Sequence, residues 1–170
     1  MILEAPKLFK KAFTHFSDDR GFLNPLDLKV LPDFISLDRF LPAMQLLSFS
    51  KSKNTFRGLH YQSAPHEQSK LIFIHSGEIL DFIVPVDDVR ASRVQTFDLQ
   101  PGDLLFVPSS YAHGFLTKTT DVCLQYIMDA RFNADSYSGI DAIDFVSQFA
   151  GREKLIVSDK DKNFKLKINV

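Results

Sequence analysis

The sequence predicts an all-β fold, a small antiparallel barrel or sandwich in one domain. Two features carry that expectation. From Met44 onward, short runs rich in Ile, Val, Phe and Leu recur at near-regular spacing, and clusters of Gly, Pro, Ser and Asp punctuate them. The stretch 24–42, without strand character, contains Pro25, Pro32 and Pro42, which exclude a long helix because each removes an N–H donor and fixes φ. Runs of this kind do not alternate with helices, so a doubly wound α/β sheet is disfavoured.

In chain order, the pattern from Leu8 to Phe22 is short and β-like, and Ser17-Asp18-Asp19-Arg20-Gly21 has hairpin-turn chemistry. The proline-bearing stretch then reads as a connecting flap with one or two short helical turns. Strands are expected at about 44–49, 56–61, 70–75, 78–84, 93–99, 104–107, 112–117 and 122–129. The turns between them include Ser63-Ala64-Pro65, Ser76-Gly77, Val86-Asp87-Asp88 and Gln100-Pro101-Gly102-Asp103. A short amphipathic helix is expected over 140–149, followed by a loop at Ser158-Asp159-Lys160-Asp161. No internal repeat, low-complexity segment or second domain boundary is found.

The 170 residues, 45% of them hydrophobic, suffice for one self-supporting core. Twenty basic and 21 acidic side chains nearly cancel, so no overall field favours nucleic acid or an anionic membrane. Cys123 is the single cysteine and can close no intramolecular disulfide; Met1-Ile2-Leu3-Glu4-Ala5-Pro6 lacks signal-peptide character, and no apolar run approaches a membrane span. The expected location is the cytoplasm.

Chemistry concentrates in Phe56-Arg57-Gly58-Leu59-His60-Tyr61-Gln62, in Lys70-Leu71, and in Pro108 to Phe115, which contains His113. Strand alternation groups His60 with Gly58 and Gln62, opposite Leu59 and Tyr61. On this motif alone His60 fits either a packed, hydrogen-bonded strand histidine or a base. Lys70 shares a face with Ile72 and Ile74. A lysine opening a strand is ordinarily a solvated end, but turned inward its ammonium would suit a developing oxyanion. Tyr126 groups with Leu124 and Met128, and spacing alone favours a core tyrosine. A metal reading would draw on His60, His66, Glu67 and His113. It lacks two histidines at i, i+2 on one strand face, and His66 falls in a turn beside Pro65. No Gly-rich nucleotide loop and no serine nucleophile elbow is present.

These motifs resemble the dTDP-4-dehydrorhamnose 3,5-epimerase family of nucleotide-sugar epimerases, which has a cupin (jelly-roll) fold. The resemblance runs through Asp18-Asp19-Arg20-Gly21-Phe22, Arg57 to Gln62, Lys70-Leu71, Gly77-Glu78, Phe106-Val107-Pro108, Ala112-His113-Gly114-Phe115, Tyr126 and Ser158 to Asp161, and so covers most of the chain. It implies that His60 is the catalytic base, Asp161 the carboxylate that orients it, Tyr126 the acid on the opposite ring face and Lys70 the support of an enolate. It further implies substrate-binding roles for Arg20, Gln45, Arg57, His113 and Phe132. Gln45-Leu46-Leu47-Ser48 stands where the family has a more polar run, and Phe132 where it often has a tyrosine.

The implied reaction has a physical logic. In a 4-keto sugar the C3 and C5 protons are both α to the carbonyl, so removing either places charge on O4, and inversion needs a base and an acid on opposite ring faces. Neither a redox cofactor nor a metal is called for. The alternatives are a nucleotide-sugar 3,4-ketoisomerase and a sugar-nucleotide-binding cupin without turnover. The resemblance also implies a homodimer with exchanged N-terminal strands, Arg20 reaching the partner's site.

Overall fold

Two sheets face each other across an apolar filling, as alternation along the strands requires. The computed structural model describes residues 5–27, 40–151 and 154–168. Its strands are β1 Lys7–Phe9, β2 Phe16–Asp18, β3 Gly21–Leu23, β4 Met44–Ser50, β5 Phe56–Gln62, β6 Lys70–Ser76, β7 Ile79–Pro85, β8 Gln95–Leu99, β9 Leu104–Val107, β10 Tyr111–Thr117, β11 Val122–Met128, β12 Tyr137–Asp141 and β13 Leu166–Lys167. Among the described residues there are also two short helices, α1 Ile143–Ser147 and α2 Asp159–Lys162, and a 3₁₀ turn at Ala91–Arg93. One sheet has the order β1-β9-β6-β11-β4 and the other β13-β12-β5-β10-β7-β8, while β2 and β3 pair only with each other. All pairings are antiparallel except β12 with β13. This is the expected all-β cupin-like jelly roll. Among the described residues no helix is long and apolar enough to cross a membrane.

Three apolar layers follow from the period of two. Ile72, Ile74, Leu124 and Met128 of the first sheet meet Ile79, Ile83 and Phe115 of the second between the sheets. Leu71, Phe73, Leu104 and Phe106 point the other way and pack beneath Phe13 and Phe40. Phe56, Leu59, Phe82 and Leu116 back the second sheet, covered by Val146 of α1 and by Ile168. The between-sheet layer is the lumen, and at one end it gives way to polar side chains.

β5 and β10 approach unusually closely. Gly58 has φ +140°, outside the range L side chains favour, and a Cβ there would run into Gly114 Cα. A Cβ on Gly114 would in turn sit 2.6 Å from the Arg57 carbonyl oxygen. The two glycines bring His60 directly opposite His113 in the strand register.

Three local expectations change. The N-terminal hairpin is confined to β2 and β3, because β1 pairs with β9 instead and is pinned there by Lys10 Nζ donating to Asp103 Oδ2 at 2.8 Å. Residues 137–141 form a strand, since 137–139 pair against Gln62 to His60 of β5 and 140–141 against β13, which leaves only Ile143–Ser147 helical in that stretch. Ser158 to Asp161 is not a loop: Ser158 caps α2, its Oγ accepting from Asp161 N at 3.1 Å. Most of the expected flap, 28–39, lies outside the described residues.

Candidate active site

The polar end of the lumen opens into a cavity of about 630 Å³, a size suited to a small-molecule ligand. His60 and His113 line it from the six-stranded sheet, Lys70 and Tyr126 from the five-stranded one. Lys70 pairs with Met128, two residues beyond Tyr126, so alternation gives the ammonium and the phenol the same face. Two imidazoles thus face an ammonium and a phenol across one cavity.

His60 Nε2 lies 2.8 Å from Asp161 Oδ1. With a carboxylate as partner, Nε2 carries the proton and Nδ1 keeps the lone pair a base requires. Asp161 Oδ2 also accepts from Gly58 N at 3.3 Å, tying α2 to β5. Burial holds the His60 imidazole below its ordinary pKa and outweighs the opposing pull of Asp161, so the ring is neutral at pH 7. Burial pushes Asp161 up, but the His60 contact and the Gly58 and Ser158 hydrogen bonds bring it below the usual carboxylate range. A neutral imidazole beside an ionised carboxylate is the resting state of an oriented base.

Lys70 is buried rather than a solvated strand end, and its Nζ donates to the His60 carbonyl oxygen at 3.1 Å across the lumen. Burial pulls its pKa down to about 8 against the opposing charges of Asp81 and Asp129. Tyr126 is buried also, and burial together with the Asp81 charge pushes its hydroxyl well up, which keeps it a proton donor. His113 lies within β10, buried, its Nε2 2.7 Å from Asp81 Oδ2 and its ring edge-on to Tyr126.

Of the other expected residues, Arg57 and Phe132 line the cavity. Arg57 is steadied by Nε donating to Ser50 Oγ at 3.1 Å. Gln45 does not line it: Met44, Leu46 and Ser48 take the inner face of β4, so alternation turns Gln45 outward and removes it as a direct ligand within this chain. Arg20 is exposed on the hairpin, bonded to Asp18 and outside the cavity. The residues considered for a metal do not converge, since His60 and His113 each face their own carboxylate and His66 and Glu67 are exposed.

Sequence reasoning missed Asp81, Tyr137 and Lys160. Asp81 had a signal, a lone acid at lumen parity in the apolar run Ile79 to Val84. Tyr137 and Lys160 had none, because Tyr137 reaches the site only through the β12–β5 pairing. Its ring lies 5.4 Å from that of His60 and 5.5 Å from Phe132, with Lys160 Nζ 3.8 Å from its centroid.

A family model described as dTDP-4-dehydrorhamnose 3,5-epimerase matches residues 4–167. The chain belongs to this epimerase family. A family member from Escherichia coli, dTDP-4-dehydrorhamnose 3,5-epimerase, is 32% identical over 133 residues, 74% of this chain and 69% of that one. Another from Sinorhizobium fredii is 32% identical over 100 residues, 55% of this chain, and there the chain spans 50% of the relative's length. The crystal structure of the Bacillus anthracis family member with TDP and PPi bound is 30% identical, with 98% of each chain covered and a TM-score of 0.70.

Proposed function

We propose that this chain is a cytoplasmic epimerase of a nucleotide-linked 4-keto-6-deoxy sugar, inverting C3, C5 or both through an enolate. The observation that carries the reading is the opposition of His60 and Tyr126 on facing sheets of one cavity, with Lys70 beside the tyrosine. His60 Nδ1 takes the proton from the carbon α to the ketone, and the C–H electron pair becomes the enolate. The negative charge on O4 is met by the Lys70 ammonium, a preorganised cation away from bulk water. Tyr126 then gives its hydroxyl proton to the same carbon from the opposite face, and the imidazolium and tyrosinate exchange protons with solvent to reset. Asp161 holds the imidazole and stabilises its charged form. Arg57 and Phe132, at the cavity wall, suit the diphosphate and the base.

The same reading includes a homodimer. Among the described residues β4 ends its sheet with an open edge carrying exposed Leu47 and Phe49, and the separate β2–β3 hairpin exposes Phe16, Phe22 and Leu23. A partner that covers both would bring Arg20 to the neighbouring cavity. The test of the enzymatic reading is proton NMR of dTDP-4-keto-6-deoxyglucose in deuterium oxide with wild type and His60→Ala. Deuterium at C3 or C5 that requires His60 supports it; incorporation that persists in the variant contradicts the assigned base.

A further inference from the structure

The His60 imidazole sits in a slot that its own strand does not make. β12 pairs with β5 so that Gly139 lies opposite His60 and Tyr137 opposite Gln62, and residues paired in this way, or two apart along a strand, share one face of the sheet. Tyr137 and Gly139 therefore flank the imidazole. Tyr137 lines the cavity, its ring centroid 5.4 Å from that of His60. Gly139 leaves open the room a side chain would take, and Phe164 fills it: a Cβ at 139 would run into three atoms at the tip of that ring. The φ of Gly139 lies outside the left-handed range, so it is the ring, not the backbone, that requires a residue without a side chain there. Phe164 follows α2, half-buried, its centroid 5.8 Å from the His60 ring, edge to face, and 6.5 Å from the Tyr137 ring. It does not line the cavity. The segment 161–164 thus delivers both a carboxylate and an aromatic wall to one imidazole.

We propose, resting on the epimerase reading, that Phe164 is a positioning residue for the base: seated on Gly139, it backs the His60 ring where the cavity does not reach, confines it with Tyr137 to the orientation in which Nε2 meets Asp161, and keeps water from it. The charged and titratable groups around His60 are Asp161 of α2, the Lys70 ammonium on its carbonyl oxygen, His113 opposite it in register, and Tyr137 with Lys160 Nζ over its ring. Asp161 favours the imidazolium, so a base that rests neutral needs a counterweight. An apolar wall offers the charged ring no hydrogen bond, and putting one in the place of water favours the neutral form. Burial is the larger influence at this site and holds the imidazole below its ordinary pKa.

The experiment is an NMR titration of the imidazoles in histidine-labelled protein, the His60 resonance assigned by its loss in His60→Ala, on wild type, Phe164→Ala, Gly139→Ala and the double variant. No substrate is needed, so failure here is distinct from failure of the epimerase reading, which deuterium exchange with wild type tests alone. Phe164→Ala should raise the His60 midpoint by about half a pH unit or more. The acid limb of kcat/KM should move up with it while KM holds, because Phe164 touches the base and not the cavity; a wall that only stabilised the fold would leave that limb in place. Gly139→Ala, which removes no atom but displaces the ring, should raise the midpoint similarly, and the double variant should go no further than Phe164→Ala alone. An unmoved or lower midpoint in Phe164→Ala, or shifts that add in the double variant, overturns the proposal. If Phe164→Ala does not fold, Gly139→Ala carries the test by itself, and an unmoved midpoint there overturns it equally.

Discussion

At the scale of single residues, the proposed mechanism asks each group to hold the protonation state its task needs. His60 is kept neutral by burial and Lys70 titrates at about 8. Because the base must be unprotonated and the lysine protonated, kcat/KM should rise through a His60 midpoint below 6.5 and fall again above about pH 8. A plateau extending well above pH 9 would separate Lys70 from the reaction. His60→Ala should lower turnover by about 10²- to 10⁴-fold, the usual contribution of a general base. Tyr126→Phe should retain deuterium exchange at the carbon His60 attacks while losing inversion, and chiral analysis of the recovered sugar checks this. Loss of both together would mean that Tyr126 is needed before the enolate forms.

At the scale of elements, small structural devices set large chemical consequences. α2 has only four residues, yet it carries Asp161 to His60, and Ser158 is its cap. Ser158→Ala should lower kcat through loosened Asp161 with little change in the melting temperature, and Ser158→Thr should restore it, since a threonine hydroxyl also caps. Equal activity of Ser158→Ala and wild type would show that Asp161 is held without the cap. Gly114→Ala should cost about 1–3 kcal/mol in urea unfolding, because neither the Arg57 carbonyl nor Gly58 can yield without moving a strand. The strands around this device were legible in the sequence. Lys70 to Ile74 is apolar on both faces after its first residue, so parity groups Lys70 with Ile72 and Ile74, and Tyr126 with Leu124 and Met128, without saying which face is inward; the family resemblance supplied that. What escaped was non-local. The pairing of 137–139 with β5 draws its hydrogen bonds from residues far away in the chain, and nothing in Tyr137-Ser138-Gly139 announces it. The inward acid Asp81 was visible as a lone charge in an apolar run, but its partner His113 arrives from another strand.

At the scale of the whole molecule, the jelly roll gives the cavity two opposed walls, which the proposed function uses on the two faces of a sugar ring. One sheet contributes the imidazoles and the other the ammonium and phenol. Among the described residues the same architecture leaves β4 as an open edge and the β2–β3 hairpin exposed. Sedimentation should therefore give a dimer, and Leu47→Lys should shift it towards monomer. Mixing Arg20→Ala with His60→Ala should restore part of the activity if each cavity takes an arginine from its partner. A fully active monomer would remove Arg20 from the site.

The most direct test of the central claim, that His60 and Tyr126 move protons on opposite faces of one sugar ring, is the deuterium-oxide NMR experiment run on wild type, His60→Ala and Tyr126→Phe side by side. The account predicts deuterium with inversion at C3, C5 or both in wild type, none in His60→Ala, and deuterium without inversion in Tyr126→Phe. Inverted, deuterated sugar from Tyr126→Phe would contradict it.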